Sequence, residues 1–271
     1  MILCYRRNRR SGRFLFLVSF FTLQGGGPFS ISFRSPLSLP RRFTVNIVYA
    51  LTHGYYHKAV PSMKSVIEHD PKAKIYLIAE DDEIEGLPCK VTVINVKDQQ
   101  YFKPTDVNYN NPFTYINLLK VCYPELLRCD KVLHLDADAI VTDSLDELWK
   151  TDLTGKWFAA VPEYRGHYNP FGGLYFNAGV ILLNLKQMRK DNATEELVRY
   201  LNAFWQPYAD QDAWNKAAIR HNIAVPLPVR YNEAVPTGQT ERPAIVHYCG
   251  MKRWWEDTGI PRGEYLDKYR A

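Results

Sequence analysis

Residues 132–141 read VLHLDADAIV, an apolar run with two carboxylates, Asp136 and Asp138, set one residue apart toward its end. On an extended backbone residues i and i+2 point to the same face, so the two side chains project together at a spacing that suits one cation. Held there without a counter-charge, they repel. Aspartate also favours turns and ends strands with no chemistry attached, and the same Asp-x-Asp pattern recurs at Asp210 and Asp212. The pattern alone does not say which pair, if either, holds a metal; its surroundings must decide.

Upstream, TVNIVYAL (44–51) is a β-branched run, 57–69 carries Ala59, Val60, Met63, Val66 and Ile67 at helical spacing, and KIYLIA (74–79) is a second strand. KVTVINV (90–96) predicts a third strand. Tyr115, Leu118, Leu119, Cys122 and Leu126 mark one face of a helix leading into VLHLD. Beyond the acidic pair, Ser144 and Glu147 form a capping-box pattern that opens a helix at SLDELW, so Asp136 and Asp138 are expected in a strand-to-helix connection. WFAAVPEY, GVILLNL and AIVHYCG read as further strands, with helices over 194–205 and 212–219. Strands alternating with helices predict an α/β fold: a mostly parallel, doubly wound sheet with flanking helices, whose ligands bind beyond the carboxyl ends of the strands.

With 271 residues, 46% of them hydrophobic, the chain can bury a sizeable core. The net charge of +5 comes from the first 42 residues, which hold arginines and no acid; the remainder carries slightly more acid than base. That balance argues against a nucleic-acid partner. Five cysteines with no CxxC pair indicate neither a disulfide framework nor a zinc ribbon, which fits reduced thiols and a cytoplasmic protein. The absence of G-x-G-x-x-G and of a P-loop excludes those nucleotide-binding signatures. Residues 1–43 run from basic to apolar to Gly/Ser/Pro-rich. Their apolar core, 14–23, is about half the roughly 20 residues a spanning helix needs. They are expected to be a disordered extension, with a targeting segment or a peripheral membrane contact as the alternatives. A single domain is expected over 44–271.

Five segments in order, NIVYALTHGYY, LLKVCYPELLRCDKVLHLDADAIVTDSLDELW, YFNAGVILLNL, DQDAWN and IVHYCGMKRWW, resemble glycosyltransferase family 8. The resemblance implies a GT-A type fold, a divalent metal, and a retaining enzyme that moves a hexose, glucose or galactose, from a UDP-sugar to a hydroxyl of a glycan, glycolipid or protein. A catalytically idle UDP-sugar-binding protein and a self-glycosylating enzyme are the alternatives. Two unit negative charges about 5 Å apart repel by about 3 kcal/mol at an effective dielectric of about 20, and a bridging cation reverses the sign. The resemblance gives Asp136, Asp138 and His247 as ligands, and a donor set of two hard oxygens and one imidazole suits Mn²⁺.

It also implies that Ala50, Leu51, Thr52 and Tyr56 (or Tyr55) meet uridine, although an ordinary βα turn using Gly54 would read the same. Ala137 lies between the acidic pair. Lys120 is either a donor contact or a solvated helix lysine, and Asn177 matches a residue at the sugar site. Asp210 and Gln211 match the pair beside the anomeric carbon, and Gly250 with Arg253 matches the diphosphate loop, arginine replacing the usual lysine. Asp212 reads as a helix N-terminal acid. Loops 101–112 and 164–174 are expected to shape the acceptor side.

Overall fold

Along Asn46–Ala50 (β1) successive side chains part to opposite sides: Ile47 and Tyr49 enter one apolar cluster, Val48 and Ala50 another. A strand buried on both faces divides its residues this way. The computed structural model describes residues 43–163, 172–235, 240–250 and 254–270. After β1 come Val60–His69 (α1), Lys74–Ala79 (β2) and Val91–Asn95 (β3). A helical run follows as Thr114–Leu118 (α2), a 3-10 turn at Leu119–Cys122, and Tyr123–Leu126 (α3). The chain continues through Val132–Leu135 (β4), Ala139–Val141 (β5), Asp146–Trp149 (α4), Phe158–Pro162 (β6) and Phe176–Leu183 (β7). Leu185–Lys190 (α5), Ala193–Ala203 (α6) and Asp210–His221 (α7) lead to Ala224–Pro226 (β8), Glu233–Ala234 (β9), Ile245–His247 (β10) and Gly263–Arg270 (α8).

Seven strands form one sheet in the order β3-β2-β1-β4-β7-β6-β8. Strands β3, β2, β1 and β4 run parallel, β7 is antiparallel to both β4 and β6, and β8 is parallel to β6. The sheet is therefore mostly parallel, with β7 reversed. Helices cover both faces. Met63 and Val66 of α1 pack on one side with Leu148 of α4, whereas Leu118, Met188, Leu201 and Trp214 pack on the other. All described residues fall within one compact unit, Arg41–Ala271. The expectation for residues 1–42 lies outside the described residues, among which no helix is long and apolar enough to cross a membrane.

Three local expectations are corrected by the backbone. First, no strand-to-helix link follows β4: Ala139 N–H donates to Asp136 O at 3.1 Å, closing a tight turn over the acidic pair. The apolar residues after the turn join a second sheet, β5-β10-β9, in which His247 pairs with Ala139. Second, the Ser144/Glu147 capping box does not form. Ser144 Oγ accepts the Asp146 N–H, the helix opens only at Asp146, and Glu147 pairs with Lys150 in solvent. Third, the helix expected from residue 57 begins as a 3-10 turn, His53–Ala59. Three residues per turn place Tyr56 and Ala59 on one face, and both are buried.

Candidate active site

A cleft of about 570 Å³ opens where β1 and β4 end, the edge at which sheets of this kind bind ligands. Ala50, Leu51, Thr52, Lys120, Asp136, Ala137, Asp138, Asn177, Asp210, Gln211, His247 and Gly250 all line it. Tyr56 does not. Its ring lies in the core and its hydroxyl accepts the Glu80 N–H, so the cleft aromatic of this turn is Tyr55. Arg253 lies outside the described residues, as does most of 164–174, while the 101–112 loop contributes Pro112 to the rim.

The acidic turn and the second sheet bring three ligand atoms, from Asp136, Asp138 and His247, within 4.8 Å of one another. His247 Nε2 lies 3.1 Å from Asp138 Oδ1 and 3.9 Å from Asp136 Oδ2. Its Nδ1 is 2.9 Å from Asn232 Oδ1, an oxygen that only accepts, so Nδ1 carries a proton and Nε2 is the nitrogen turned to the carboxylates. Asn232 is steadied in turn by donating to Asn177 Oδ1 at 2.8 Å. Burial alone would lower the His247 pKa, yet Asp138 and Asp136 overcome it and raise it; the pocket demands positive charge. Gly179 lines the same space. A Cβ there would sit 2.1 Å from His247 Cε1 and 2.8 Å from Asp136 Oδ2, so glycine keeps a cradle clear between them. Two hard oxygens, one oriented imidazole and that cleared space fit a divalent cation.

Lys120 is not a solvated helix lysine. It is buried, donates to Asp136 Oδ1 at 2.9 Å and stands 3.7 Å from Asp210 Oδ2. Burial opposes its charge, but the two carboxylates more than compensate and raise its pKa. Burial likewise opposes ionisation of Asp136, and Lys120 with His134 and His247 reverses that, holding it well below the usual carboxylate range. Asp210 is different: burial, reinforced by Asp136, pushes it up to about 6 against the pull of Lys120. Among the described residues its Oδ2 has no hydrogen-bond partner. Ala209, at φ +49°, introduces α7 and sets Asp210 as its first residue. A non-glycine residue in that region costs about 1–3 kcal/mol and persists where surrounding structure enforces it.

Gln211 is clamped at both ends of its amide. Its Oε1 accepts the Ala178 N–H at 2.9 Å and its Nε2 donates to Glu163 Oε2 at 3.2 Å. Asp212 braces the wall: it accepts the Tyr175 hydroxyl at 2.6 Å and the Tyr208 N–H at 2.9 Å, and both tyrosines line the cleft. Sequence reasoning missed His134, Glu163, Gly179 and Asn232. An acid straight after the apolar FAAVP run was a signal for Glu163; Asn232 carried none.

Residues 46–259 match the model of glycosyl transferase family 8. The chain belongs to that family. Among its family relatives, glycosyltransferase GlyA of Streptococcus pneumoniae is 28% identical, over 78% of this chain and 32% of GlyA. Lipopolysaccharide 1,2-glucosyltransferase of Escherichia coli is 26% identical, over 83% of this chain and 77% of the relative. The chain thus spans about a third of GlyA and most of the glucosyltransferase. In fold it is similar to galactosyltransferase LgtC, solved with donor and acceptor sugar analogs, with a TM-score of 0.66 at 24% identity over 83% of this chain and 95% of LgtC. It is also similar to S. pneumoniae GlyE, with a TM-score of 0.64 over 84% of this chain and 60% of GlyE. The family 8 chain has a GT-A type fold.

Proposed function

We propose that this glycosyltransferase is a retaining hexosyltransferase that moves glucose or galactose from a UDP-sugar to a hydroxyl acceptor, with a divalent cation, Mn²⁺, held by Asp136, Asp138 and His247. The observation that carries the reading is the meeting, in one cleft, of that cation-demanding triad with the β1 edge at Ala50–Thr52 on one side and Asp210 with Gln211 on the other. When bound, the cation would offset the charge of the diphosphate and of the departing UDP. The strand edge and Tyr55 then take the uridine, and Gly250 borders the diphosphate.

The chain's own groups do the rest. The Oδ2 of Asp210, which has no hydrogen-bond partner among the described residues, accepts a hydroxyl of the donor sugar, with Lys120 beside it supplying positive charge. Gln211, held by Ala178 and Glu163, keeps its amide fixed beside the reacting carbon. A neutral amide is a poor nucleophile, so it orients and stabilises developing positive charge while the acceptor hydroxyl attacks from the face that UDP leaves, the C–O bond to UDP breaking as the new one forms and the hydroxyl proton passing to the departing diphosphate oxygen. The acceptor is taken as a glycan, glycolipid or protein hydroxyl reaching the cleft past Pro112. UDP release from UDP-glucose and UDP-galactose, with Mn²⁺ and with EDTA, tests the reading, and NMR of the product anomer tests retention. Full activity in EDTA or an inverted product would refute it, and tight donor binding without UDP release would favour the idle binder.

A further inference from the structure

Asp136 is tethered through one oxygen. Its Oδ1 meets two donors, Lys120 Nζ at 2.9 Å and His134 Nε2 at 2.9 Å. Its Oδ2 instead faces His247 Nε2 at 3.9 Å and the bare backbone of Gly179. His134 stands two residues earlier on β4, buried, and that strand is fixed on both sides by the pairings of His134 with Val48 and Ile181. The other ring nitrogen, Nδ1, is 3.0 Å from the hydroxyl of Tyr123, a fully buried side chain of the helical run behind the sheet. A carboxylate only accepts, so Nε2 is the donating nitrogen and Nδ1 accepts the Tyr123 O–H. The donors run in one direction, from tyrosine to histidine to carboxylate.

We infer that His134, braced by Tyr123, is a positioning residue that shares Asp136 Oδ1 with Lys120 and so presents Oδ2 alone to the metal; this rests on reading Asp136, Asp138 and His247 as the metal site. A single donor leaves a carboxylate free to pivot about one bond, whereas two donors from different elements fix its plane. Lys120 comes from the helical run and His134 from the strand, so the plane is set by the packing of helix on sheet. Groups of this kind, one shell out from a metal, are worth about 10–100-fold in affinity.

Calorimetric titration of Mn²⁺ into the metal-free full chain, with no donor sugar present, separates the cases. Glutamine at 134 places its amide nitrogen where Nε2 sits, while asparagine reaches only the Nδ1 position. His134→Gln is expected to bind Mn²⁺ within about threefold of the unsubstituted chain and His134→Asn about 10–100-fold more weakly. Equal affinities for the two variants overturn the inference. Tyr123→Phe, which keeps the ring and removes the brace, is expected to cost about fivefold, and an unchanged affinity overturns the brace. If the unsubstituted chain binds no Mn²⁺, or Asp138→Asn binds as well as it does, the metal-site reading fails and the inference falls with it.

Discussion

Gly179→Ala adds one methyl group at the point where the proposed metal site is tightest. The new Cβ would lie 2.1 Å from His247 Cε1 and 2.8 Å from both His247 Nε2 and Asp136 Oδ2. Carbon atoms in contact sit at about 3.5–4.0 Å, so the imidazole must retreat by about 1.5 Å or the strand must move. The strand is pinned, because Gly179 O accepts the Asp136 N–H at 2.8 Å in continuation of the β4–β7 ladder. The ring can retreat only by leaving Asn232 Oδ1. A buried donor left unpaired costs about 1–3 kcal/mol, and overpacking of a filled interior costs about the same. Replacing glycine regains about 0.4–1 kcal/mol by restricting the unfolded chain. The net expectation is a loss of about 1–5 kcal/mol in urea unfolding, together with Mn²⁺ affinity about 10–100-fold weaker by calorimetry, the scale on which misplaced ligand supports act. Affinity within twofold of the unsubstituted chain, at unchanged stability, would refute the close approach on which the cradle depends.

Lys120→Met keeps the stem and removes the charge between Asp136 and Asp210, so the metal-free chain should lose about 3 kcal/mol in urea unfolding; a loss under about 1 kcal/mol would contradict the buried pairing. Asp138→Asn removes a proposed ligand and leaves the Lys120–Asp136 hydrogen bond in place, although its own contact with His247 Nε2 goes with it; it should lower turnover on the order of 10²–10³-fold, whereas unaltered turnover counts against the metal. Asp136→Asn is the poorer probe, because it also breaks the Lys120 pair. Two groups titrate with opposite sign in the metal-free chain. His134, held down to about 4 by burial and Lys120, contributes stability above pH 6.5 that is lost as pH falls toward 4. Asp210, pushed up to about 6 by burial, contributes stability at acid pH that is lost as pH rises through 6. Each is worth about 3 kcal/mol, so the two offset in the unsubstituted chain. Asp210→Asn should expose the acid loss and His134→Gln the loss at higher pH, in denaturation at pH values of about 4.5 and 7; superimposable profiles would refute the assignment.

The alternation of strand and helix was legible because β1, β2 and β4 are short β-branched or aliphatic runs between helical periods. The reversal of β7 was not, since a strand buried on both faces reads as the same apolar run whichever way it points. The choice between Tyr55 and Tyr56 was not legible, because it turns on the 3-10 geometry of 53–59: at three residues per turn position 56 shares a face with 59 and is buried with it, which leaves Tyr55 at the cleft. Lys120 stayed ambiguous because its burial depends on carboxylates 16 and 90 residues later in the chain. Ser144 and Glu147 matched a capping box by spacing, yet Glu147 is drawn to Lys150 one turn on. Asn232 and His134 act through other side chains, and no local pattern announces a residue whose importance lies in what it holds.

The two Asp-x-Asp pairs show how far one spacing can diverge. At 136 and 138 a tight turn, with Ala139 N–H returning to Asp136 O, leaves both carboxylates in one cleft, where an imidazole delivered by an antiparallel partner meets them. At 210 and 212 the backbone is helical, and residues two apart on a helix do not face each other. Asp210 accordingly turns to the cleft and to Lys120, its Oδ2 without a hydrogen bond among the described residues, while Asp212 turns back to Tyr175 and Tyr208. Like charges in the first pair are forced together and create a demand for a cation; in the second they are separated and each meets a different partner. The backbone that carries the pair, more than the pair itself, decides which chemistry it can do.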